Sequence, residues 1–269
     1  MKKVFMLLAA CALVAGMAMT VSCTEDNPVN KDDELIDDDN NGDSGNNNNG
    51  NQGGETSSFA CLNGSEYYPI IMDGTTSEKL GSKIVCDLRP DDVNKFLYVW
   101  SGTYTGNTAN GLNFFGIAGD YTSLAVVNNT TWSGAGYFVT GNVDGFDKIA
   151  NLNNSGYYFH VAYKGAANVA HACYIAWGDG NIYRFVLGQG QTEVEGVMTQ
   201  ALKPINNDGT FVANEWNEYE FKLSDAGVDF THALSVNADG VPGTNVFCFL
   251  SGGAAGTVIN LDAAFFYKK

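Results

Sequence analysis

Hydrophobic and polar positions follow three successive patterns along the chain, and each pattern predicts a different kind of structure. Val4–Met19 is an almost unbroken apolar run, and the chain becomes strongly polar directly after Cys23. Few hydrophobic residues follow until Ser58. From there to Lys269, short apolar runs alternate with polar residues and are separated by glycine and asparagine. We therefore divide the chain into residues 1–22, 23–57 and 58–269.

The first segment has the layout of an export signal, with Lys2 and Lys3 ahead of the apolar run. The run is shorter than the roughly 20 residues that a helix needs to remain across a bilayer. Ser22 precedes Cys23 where hydrophobicity stops, which predicts removal of residues 1–22 and lipidation of Cys23. Cys11 also follows small residues, but cleavage there would leave too short an apolar core. A plain secretory signal with an incidental cysteine is the remaining alternative.

The second segment is of low complexity, because Asp37–Asp43 is almost wholly aspartate and asparagine and Asn46–Asn49 is a run of four asparagines. Such a segment has little to bury, so we expect a disordered tether. Its negative charge would extend it further and hold the third segment away from a membrane.

The third segment shows the period-two alternation of β-strands, with turn residues between runs. A single all-β domain, a two-sheet jelly-roll-like sandwich of about ten strands, is predicted. The predicted strands are Lys83–Leu88, Phe96–Trp100, Tyr121–Val127, Gly136–Val139, Tyr157–Tyr163, Ala170–Trp177, Ile182–Leu187, Tyr219–Leu223, Val246–Leu250 and Val258–Tyr267.

Three local features refine this prediction. Residues 178–181 read Gly-Asp-Gly-Asn and predict a hairpin turn, because these residues tolerate positive φ. A short helix is predicted over Phe146–Leu152, capped by Asp144. The long apolar run Val258–Tyr267 is predicted to lie centrally in a sheet.

The net charge of the chain excludes one class of binding partner. The chain carries 30 acidic against 14 basic residues and a net charge of −16. Such a surface repels phosphate backbones, so nucleic acid is excluded as a partner.

The cysteines remaining in the domain are predicted to be free buried thiols, although four cysteines would also allow three disulfide connectivities. They are Cys61, Cys86, Cys173 and Cys248.

Catalytic motifs are scarce. His160, His171 and His232 have no metal-ligand spacing, no Cys/His pairing has zinc-site spacing, and no nucleophile elbow accompanies them. We expect His160 and His171 to pack on sheet faces. Glu193 with Glu195, and Glu218 with Glu220, lie two apart on strand-like stretches and are the carboxylate pairs that a glycosidase would need. The Glu215–Glu218 corner is the stronger of these candidates. No cofactor is predicted; a structural calcium would suit a sandwich, but no run has a diagnostic spacing.

Glycan-binding chemistry is better represented. A sugar ring offers an apolar face to a flat aromatic side chain and a hydroxyl rim to amide, carboxylate or guanidinium groups. The stretch between residues 89 and 132 supplies both kinds of group. If Leu97 and Val99 point inward, alternation exposes Trp100; the alternative is that the tryptophans are core residues. The candidate glycan-binding residues are Arg89, Trp100, Tyr104, Asn113, Tyr121 and Trp132.

The lipidation site followed by an acidic tether resembles the export signal of Bacteroidota surface lipoproteins. Phe96–Tyr104, Trp132–Phe138 and Leu261–Lys268 resemble jelly-roll modules of surface glycan-binding lipoproteins in polysaccharide-utilisation systems. The resemblance implies a β-sandwich that captures glycan at the cell surface beside an outer-membrane importer. It transfers no ligand residue to this chain.

The sequence therefore predicts a non-catalytic, lipid-anchored protein of the outer membrane, exposed at the cell surface, that captures polysaccharide or oligosaccharide for uptake. Its expected partners are the glycan, the membrane through its lipid, and an outer-membrane importer. Two alternatives stay open: a structural or adhesive subunit of a surface assembly, and a polysaccharide-degrading enzyme on the same sandwich.

Overall fold

Two large antiparallel β-sheets contain most of the strands of this protein. The structure, a computed structural model, describes residues 57–106, 108–127, 130–177, 181–230, 235–236, 242–253 and 255–269. The predicted signal, the predicted lipidation site Cys23 and the predicted tether lie outside the described residues, apart from Ser57. No helix within the described ranges is long and apolar enough to span a bilayer.

Fifteen strands are present in these ranges. They are β1 (Glu66–Ile71), β2 (Lys95–Val99), β3 (Tyr104–Thr105), β4 (Thr108–Leu112), β5 (Ala118–Val126), β6 (Thr130–Thr140), β7 (Tyr157–Lys164), β8 (Ala170–Trp177), β9 (Asn181–Gly188), β10 (Gln191–Val194), β11 (Val197–Gln200), β12 (Asn217–Lys222), β13 (Ser235–Val236), β14 (Pro242–Gly253) and β15 (Val258–Lys268). One α-helix, α1 (Gly74–Leu80), is capped by Asp73, whose carboxylate accepts a hydrogen bond from the Thr76 amide. The 3₁₀ helices are Ala60–Leu62, Gly81–Lys83, Trp100–Gly102, Phe146–Asn153, Asn207–Gly209 and Leu223–Asp225.

The seven-stranded sheet has the order β12-β7-β15-β5-β3, with β1 also pairing β15 and β4 pairing β5. The six-stranded sheet has the order β2-β6-β14-β8-β9, with β13 beside β14. Strands β10 and β11 form a separate hairpin. The predicted all-β sandwich is confirmed, and so is the central place of β15, which lies between β7 on one side and β5 and β1 on the other.

The main core lies between the two sheets. The ring centroid of Phe159 on β7 lies 5.4 Å from that of Phe247 on β14 and 5.7 Å from that of Phe185 on β9. Thr122 Oγ1 and the Tyr137 hydroxyl meet at 2.5 Å across the same interface. Aromatic residues that alternate along each strand therefore fill the space between the sheets.

A second core covers the outer face of the seven-stranded sheet. Cys61 and the partly buried Phe59 from the first described segment pack with Phe115, Phe265 and Tyr267 in this cluster. Both faces of β15 are thus covered, which explains its nearly uninterrupted apolar sequence.

Most predicted strands are confirmed, and β8 has the predicted bounds. Its pairing with β9 is the predicted hairpin, although the turn residues 178–180 lie outside the described ranges. The prediction missed β1, α1 and the β10–β11 hairpin. Residues 146–153 form a 3₁₀ helix preceded by Gly145, so the predicted cap by Asp144 is wrong.

The predicted strand Lys83–Leu88 is also wrong. The segment runs beside β1 and donates two backbone hydrogen bonds to it, from Val85 to Tyr67 and from Leu88 to Pro69. It forms only an isolated bridge at Ile84 and no continuous ladder. Burial of alternate side chains gave the segment a strand-like pattern without strand pairing.

The four cysteines of the domain are free and buried, as predicted.

Candidate functional site

The side chains on the two faces of strand β2 have different surroundings, as the alternation of side chains along a strand predicted. Leu97 and Val99 pack against the main core. Tyr98 alternates with them, and Trp100 follows at the end of the strand, so both rings lie on the outer face of the six-stranded sheet. Leu97 and Val99 therefore point inward, which was the condition for an exposed Trp100. The side chains of Tyr98 and Trp100 are both partly exposed.

Trp100 rests on bare backbone in the neighbouring strand β6. A Cβ atom built on Gly134 would lie 2.3 Å from Cε3 of Trp100, and one built on Gly136 would lie 3.6 Å from Cη2. The buried Ala135 and Tyr137 occupy the opposite face of β6. The small residues of β6 thus leave room for the indole against this part of the sheet.

Two further rings extend this surface. Tyr98 meets Trp100 edge-on at 5.3 Å between centroids and Phe138 at 6.4 Å. We call Tyr98, Trp100 and Phe138 the aromatic platform. Its polar neighbour is Asn245 of β14, whose Oδ1 accepts a hydrogen bond from the Tyr98 hydroxyl. Burial raises the pKa of Tyr98 well above its usual range, so this hydroxyl remains a donor.

The β10–β11 hairpin lies on the same face of the sheet, further toward β8 and β9. Val194 packs with Ala172 and Val186 there, and Arg184 Nε donates to the Val194 carbonyl oxygen at 3.1 Å. Beside the hairpin tip, desolvation, with a smaller contribution from the Glu195 charge, raises the pKa of Cys248 to about 12. The outer face therefore carries an aromatic area on one side and, on the other, a hairpin that exposes both glutamate and hydrophobic side chains.

Two predicted ligand residues are buried and do not suit that role. Tyr104 on β3 is 5% exposed and packs edge-on against Phe249 in the core, at 5.9 Å between centroids. Asn113 is 1% exposed; its Nδ2 donates to Asp73 and its Oδ1 accepts from the Ile117 amide. Neither prediction fits the structure, because one side chain fills the core and the other closes a loop.

Arg89 lies in a separate cleft of about 480 Å³ near the edge of the sandwich. Its guanidinium binds the Asp87 carboxylate through Nε and Nη2, the latter at 2.7 Å. Leu97, which also lines the cleft, lies on the core side of β2, whereas Trp100 lies on the outer side. Arg89 therefore does not join the aromatic platform.

Tyr121 lines the same cleft as Arg89, and its ring also belongs to a group on the outer face of the seven-stranded sheet. Its ring meets Trp216 edge-on at 5.3 Å between centroids. Lys164 Nζ lies 4.9 Å from the Tyr121 centroid and 4.6 Å from the Trp216 centroid. We call Tyr121, Trp216 and Lys164 the cationic aromatic cluster. The backbone of Trp132 lies in β6, and its side chain lies outside the described residues.

Two of the candidate catalytic carboxylates already have partners. Glu218 Oε1 lies 2.9 Å from His160 Nε2, and Glu220 accepts from Tyr267 and from Lys269. Glu193 is exposed on β10, and Glu195 occupies the hairpin tip with a φ of 46°. These positions do not oppose two carboxylates across a described cleft.

Comparison with known proteins gives distantly similar solved structures and no family. No family model matches the chain, and no curated protein matches it. Among solved structures, the chain is similar to the family 11 carbohydrate-binding module of the cellulosomal cellulase Lic26A-Cel5E of Clostridium thermocellum. That similarity has 11% identity and a TM-score of 0.33, and covers 66% of this chain and 89% of the module.

Two further structures have similar values. The family 30 carbohydrate-binding module of the cellulosomal cellulase Cel9D-Cel44B of Clostridium thermocellum has 11% identity, a TM-score of 0.38, and coverage of 66% and 92%. SGBP-B from a complex xyloglucan utilization locus in Bacteroides uniformis has 14% identity, a TM-score of 0.37, and coverage of 66% of this chain and 48% of that one. Identities this low transfer no site residue to this chain.

Sequence reasoning missed Phe138 and Asn245. Phe138 could have been found, because Gly134, Gly136 and Phe138 are spaced two apart and share a face with the indole that lies over the glycines. Asn245 gave no such signal, since a shift in strand register follows it between residues 245 and 247.

Proposed function

We propose that this chain is a non-catalytic glycan-binding protein, held at the cell surface by lipid on Cys23, that captures polysaccharide for uptake. The observation that supports it best is the partly exposed indole of Trp100, seated on Gly134 beside Tyr98. An indole supported by backbone loses little freedom when a sugar ring stacks on its open side.

The aromatic platform has the groups that a neutral or weakly polar glycan requires. Trp100, Tyr98 and Phe138 offer ring surface to C–H groups, and the Asn245 amide offers hydrogen bonds to hydroxyls. Net negative charge, at −16 over the whole sequence, disfavours strongly anionic polymers. Binding at one such platform would be weak, and many tethered copies would gain avidity on a polymer.

The lipid anchor in this proposal is supported by the sequence alone. The apolar run, the Ser22–Cys23 junction and the acidic segment after it support export, lipidation and display at the outer membrane. An outer-membrane importer is the partner that would consume the captured glycan.

Native gel electrophoresis through gels cast with individual neutral polysaccharides tests the binding. We expect the full-length protein to be retarded by at least one polysaccharide, and Trp100→Ala to migrate as it does in a gel without glycan. Trp216→Ala is the matched control, because it removes the tryptophan of the cationic aromatic cluster on the other sheet. Thermal unfolding of each variant verifies that retardation is lost without loss of the fold.

The outcomes separate the alternatives. Loss with Trp216→Ala and not with Trp100→Ala would move the site to the cationic aromatic cluster. Release of reducing ends over time, abolished by Glu218→Gln, would favour an enzyme. Absence of retardation on every glycan, with a protein co-purifying, would favour an adhesive or structural subunit.

A further inference from the structure

Three groups capable of binding a metal converge on the outer face of the seven-stranded sheet. Cys61 comes from the 3₁₀ helix Ala60–Leu62, His160 from β7 and Glu218 from β12. Their ligand atoms all lie within 4.8 Å of one another. Tetrahedral zinc bonds of about 2.0 to 2.3 Å place ligand atoms about 3.3 to 3.8 Å apart, so a bound ion would draw the more distant of these groups slightly closer.

Strand pairing explains why two of these side chains meet. Glu218 pairs with Ala162 and Glu220 pairs with His160 in the β12–β7 ladder. Glu218 and His160 are therefore diagonal neighbours on one face. Cys61 approaches from the segment that covers this face, where it is 2% exposed.

The hydrogen bonds of the imidazole define its free nitrogen. His160 Nδ1 lies 2.7 Å from the Ala263 carbonyl oxygen, which can only accept, so Nδ1 carries a proton. Nε2 then points at Glu218 Oε1, 2.9 Å away, and a carboxylate oxygen is also an acceptor. Two acceptors that face each other require a proton or a bound cation between them.

The Ala263 carbonyl is directed at the ring by a distortion of β15. The β15–β7 register shifts between Asp262 and Phe265, and Ala263 has a φ of 47°. A residue with a Cβ rarely adopts this conformation, which has an energetic cost. Metal-bound histidines commonly donate their other ring nitrogen to a backbone carbonyl in this way. The ring is also fixed by stacking on Phe265 at 4.8 Å.

The donor set selects the metal by chemistry. A thiolate, an imidazole and a carboxylate are the ligand types of zinc, whereas calcium and magnesium prefer oxygen alone. The His160 side chain is fully buried, and the Glu218 side chain is 18% exposed. An ion could therefore enter from the Glu218 side, where a water would complete four-coordination.

We propose that Cys61, His160 and Glu218 form a zinc site that fastens the first described segment to the face of the sandwich. The zinc ion replaces the proton between Nε2 and Oε1 and the Sγ proton of the thiol, so that two protons leave for each ion bound. The sequence predicted no metal here, because the three residues have no common spacing along the chain.

Metal content tests this site with the full-length protein and with zinc and cobalt ions as probes. After incubation with Zn²⁺ and desalting, we expect one zinc per chain by mass spectrometry, and loss of that zinc in Cys61→Ser and Glu218→Gln. Cys248→Ser is the matched control, since it removes a buried thiol from the other sheet and should retain the ion. Zn²⁺ should raise the Tm of the wild type and of the control only.

Cobalt gives an independent result. Co²⁺ bound to the wild type should show the visible bands of a tetrahedral site and a thiolate charge-transfer band, and Cys61→Ser should lack the latter. If Cys61→Ser does not fold, the cobalt spectrum of the wild type and the partly exposed Glu218→Gln decide the question. Substoichiometric zinc in the wild type, or equal zinc in a folded Cys61→Ser variant, would overturn the proposal.

Discussion

Trp100 lies over Gly134 so closely that a Cβ on the glycine would reach within 2.3 Å of Cε3 of the indole. The absence of a side chain at residue 134 is therefore what allows the indole to lie on the sheet. The glycine belongs to the site as much as the tryptophan does.

Gly134→Ala should displace the indole and weaken glycan retention. The added methyl overlaps the ring, so we also expect a loss of about 1–3 kcal/mol in the free energy of unfolding. Gly111→Ala is the control, because a Cβ there has its nearest neighbour, Tyr121 Cε1, at an ordinary 3.8 Å. Affinity electrophoresis and urea unfolding of both variants measure the two effects. If the glycan retains the Gly134→Ala variant as strongly as the wild type, the packing of Trp100 on residue 134 is irrelevant to binding.

The platform could be predicted in part because it depends on local alternation. Leu97 and Val99 identify the inner face of β2, and Trp100 follows as an outer residue. Tyr104 could not be assigned this way, because β3 has only two residues and its burial depends on its pairing with β5 opposite Val126. Alternation over two residues contains no information about which face is covered.

The cluster of Cys61, His160 and Glu218 was beyond sequence reasoning for another reason. Its members come from a cover segment and two strands, and the β15 distortion at Ala263 completes it. Pairing between residues far apart in the sequence brings them together, and no local periodicity of the sequence indicates that they meet. The burial of Cys173 and Cys248, in contrast, follows from the local sequence, since a cysteine within an apolar strand usually packs as a small hydrophobic residue.

His171 should make stability fall in mild acid. Its side chain is fully buried, neither ring nitrogen has a hydrogen-bond partner among the described residues, and burial lowers its pKa to about 4. Between pH 6.5 and 4 the unfolded state binds a proton that the folded state does not, so stability decreases as pH falls through this window. The loss amounts to about 3 kcal/mol for a lowering of this size.

Replacement by an apolar residue isolates that effect. Urea unfolding of wild type and His171→Leu at pH 7 and pH 4.5 should give a smaller difference between the two pH values for the variant. Equal differences would mean that His171 does not titrate in this window. Tyr163, whose ring meets His171 edge-on at 5.3 Å, is the neighbour that must accommodate the change.

The domain thiols should be unreactive until the chain unfolds. Cys86 is 2% exposed, and burial raises its pKa to about 12; Cys173 and Cys248 are fully buried. Because the thiolate is the nucleophile, alkylation of the native protein at pH 8 should leave these cysteines unmodified. After denaturation without reductant, peptide mapping should find all of them alkylated. Persistent protection in denaturant would indicate disulfides instead.

Because β15 lies centrally in its sheet, its core residues should be highly sensitive to shortening of their side chains. Phe266 is fully buried, and its ring lies 5.3 Å from Phe159 and 5.9 Å from Phe230. Phe266→Ala should cost about 3–5 kcal/mol in the free energy of unfolding, because it removes a large apolar surface and leaves a cavity in the main core. Val258→Ala, at the 37% exposed start of the same strand, should cost about 0.5 kcal/mol. Chemical unfolding of the two variants compares a central position with an exposed one within a single strand. Similar losses for both would contradict the central packing of β15, because the contrast depends on the core between the sheets and not on strand propensity.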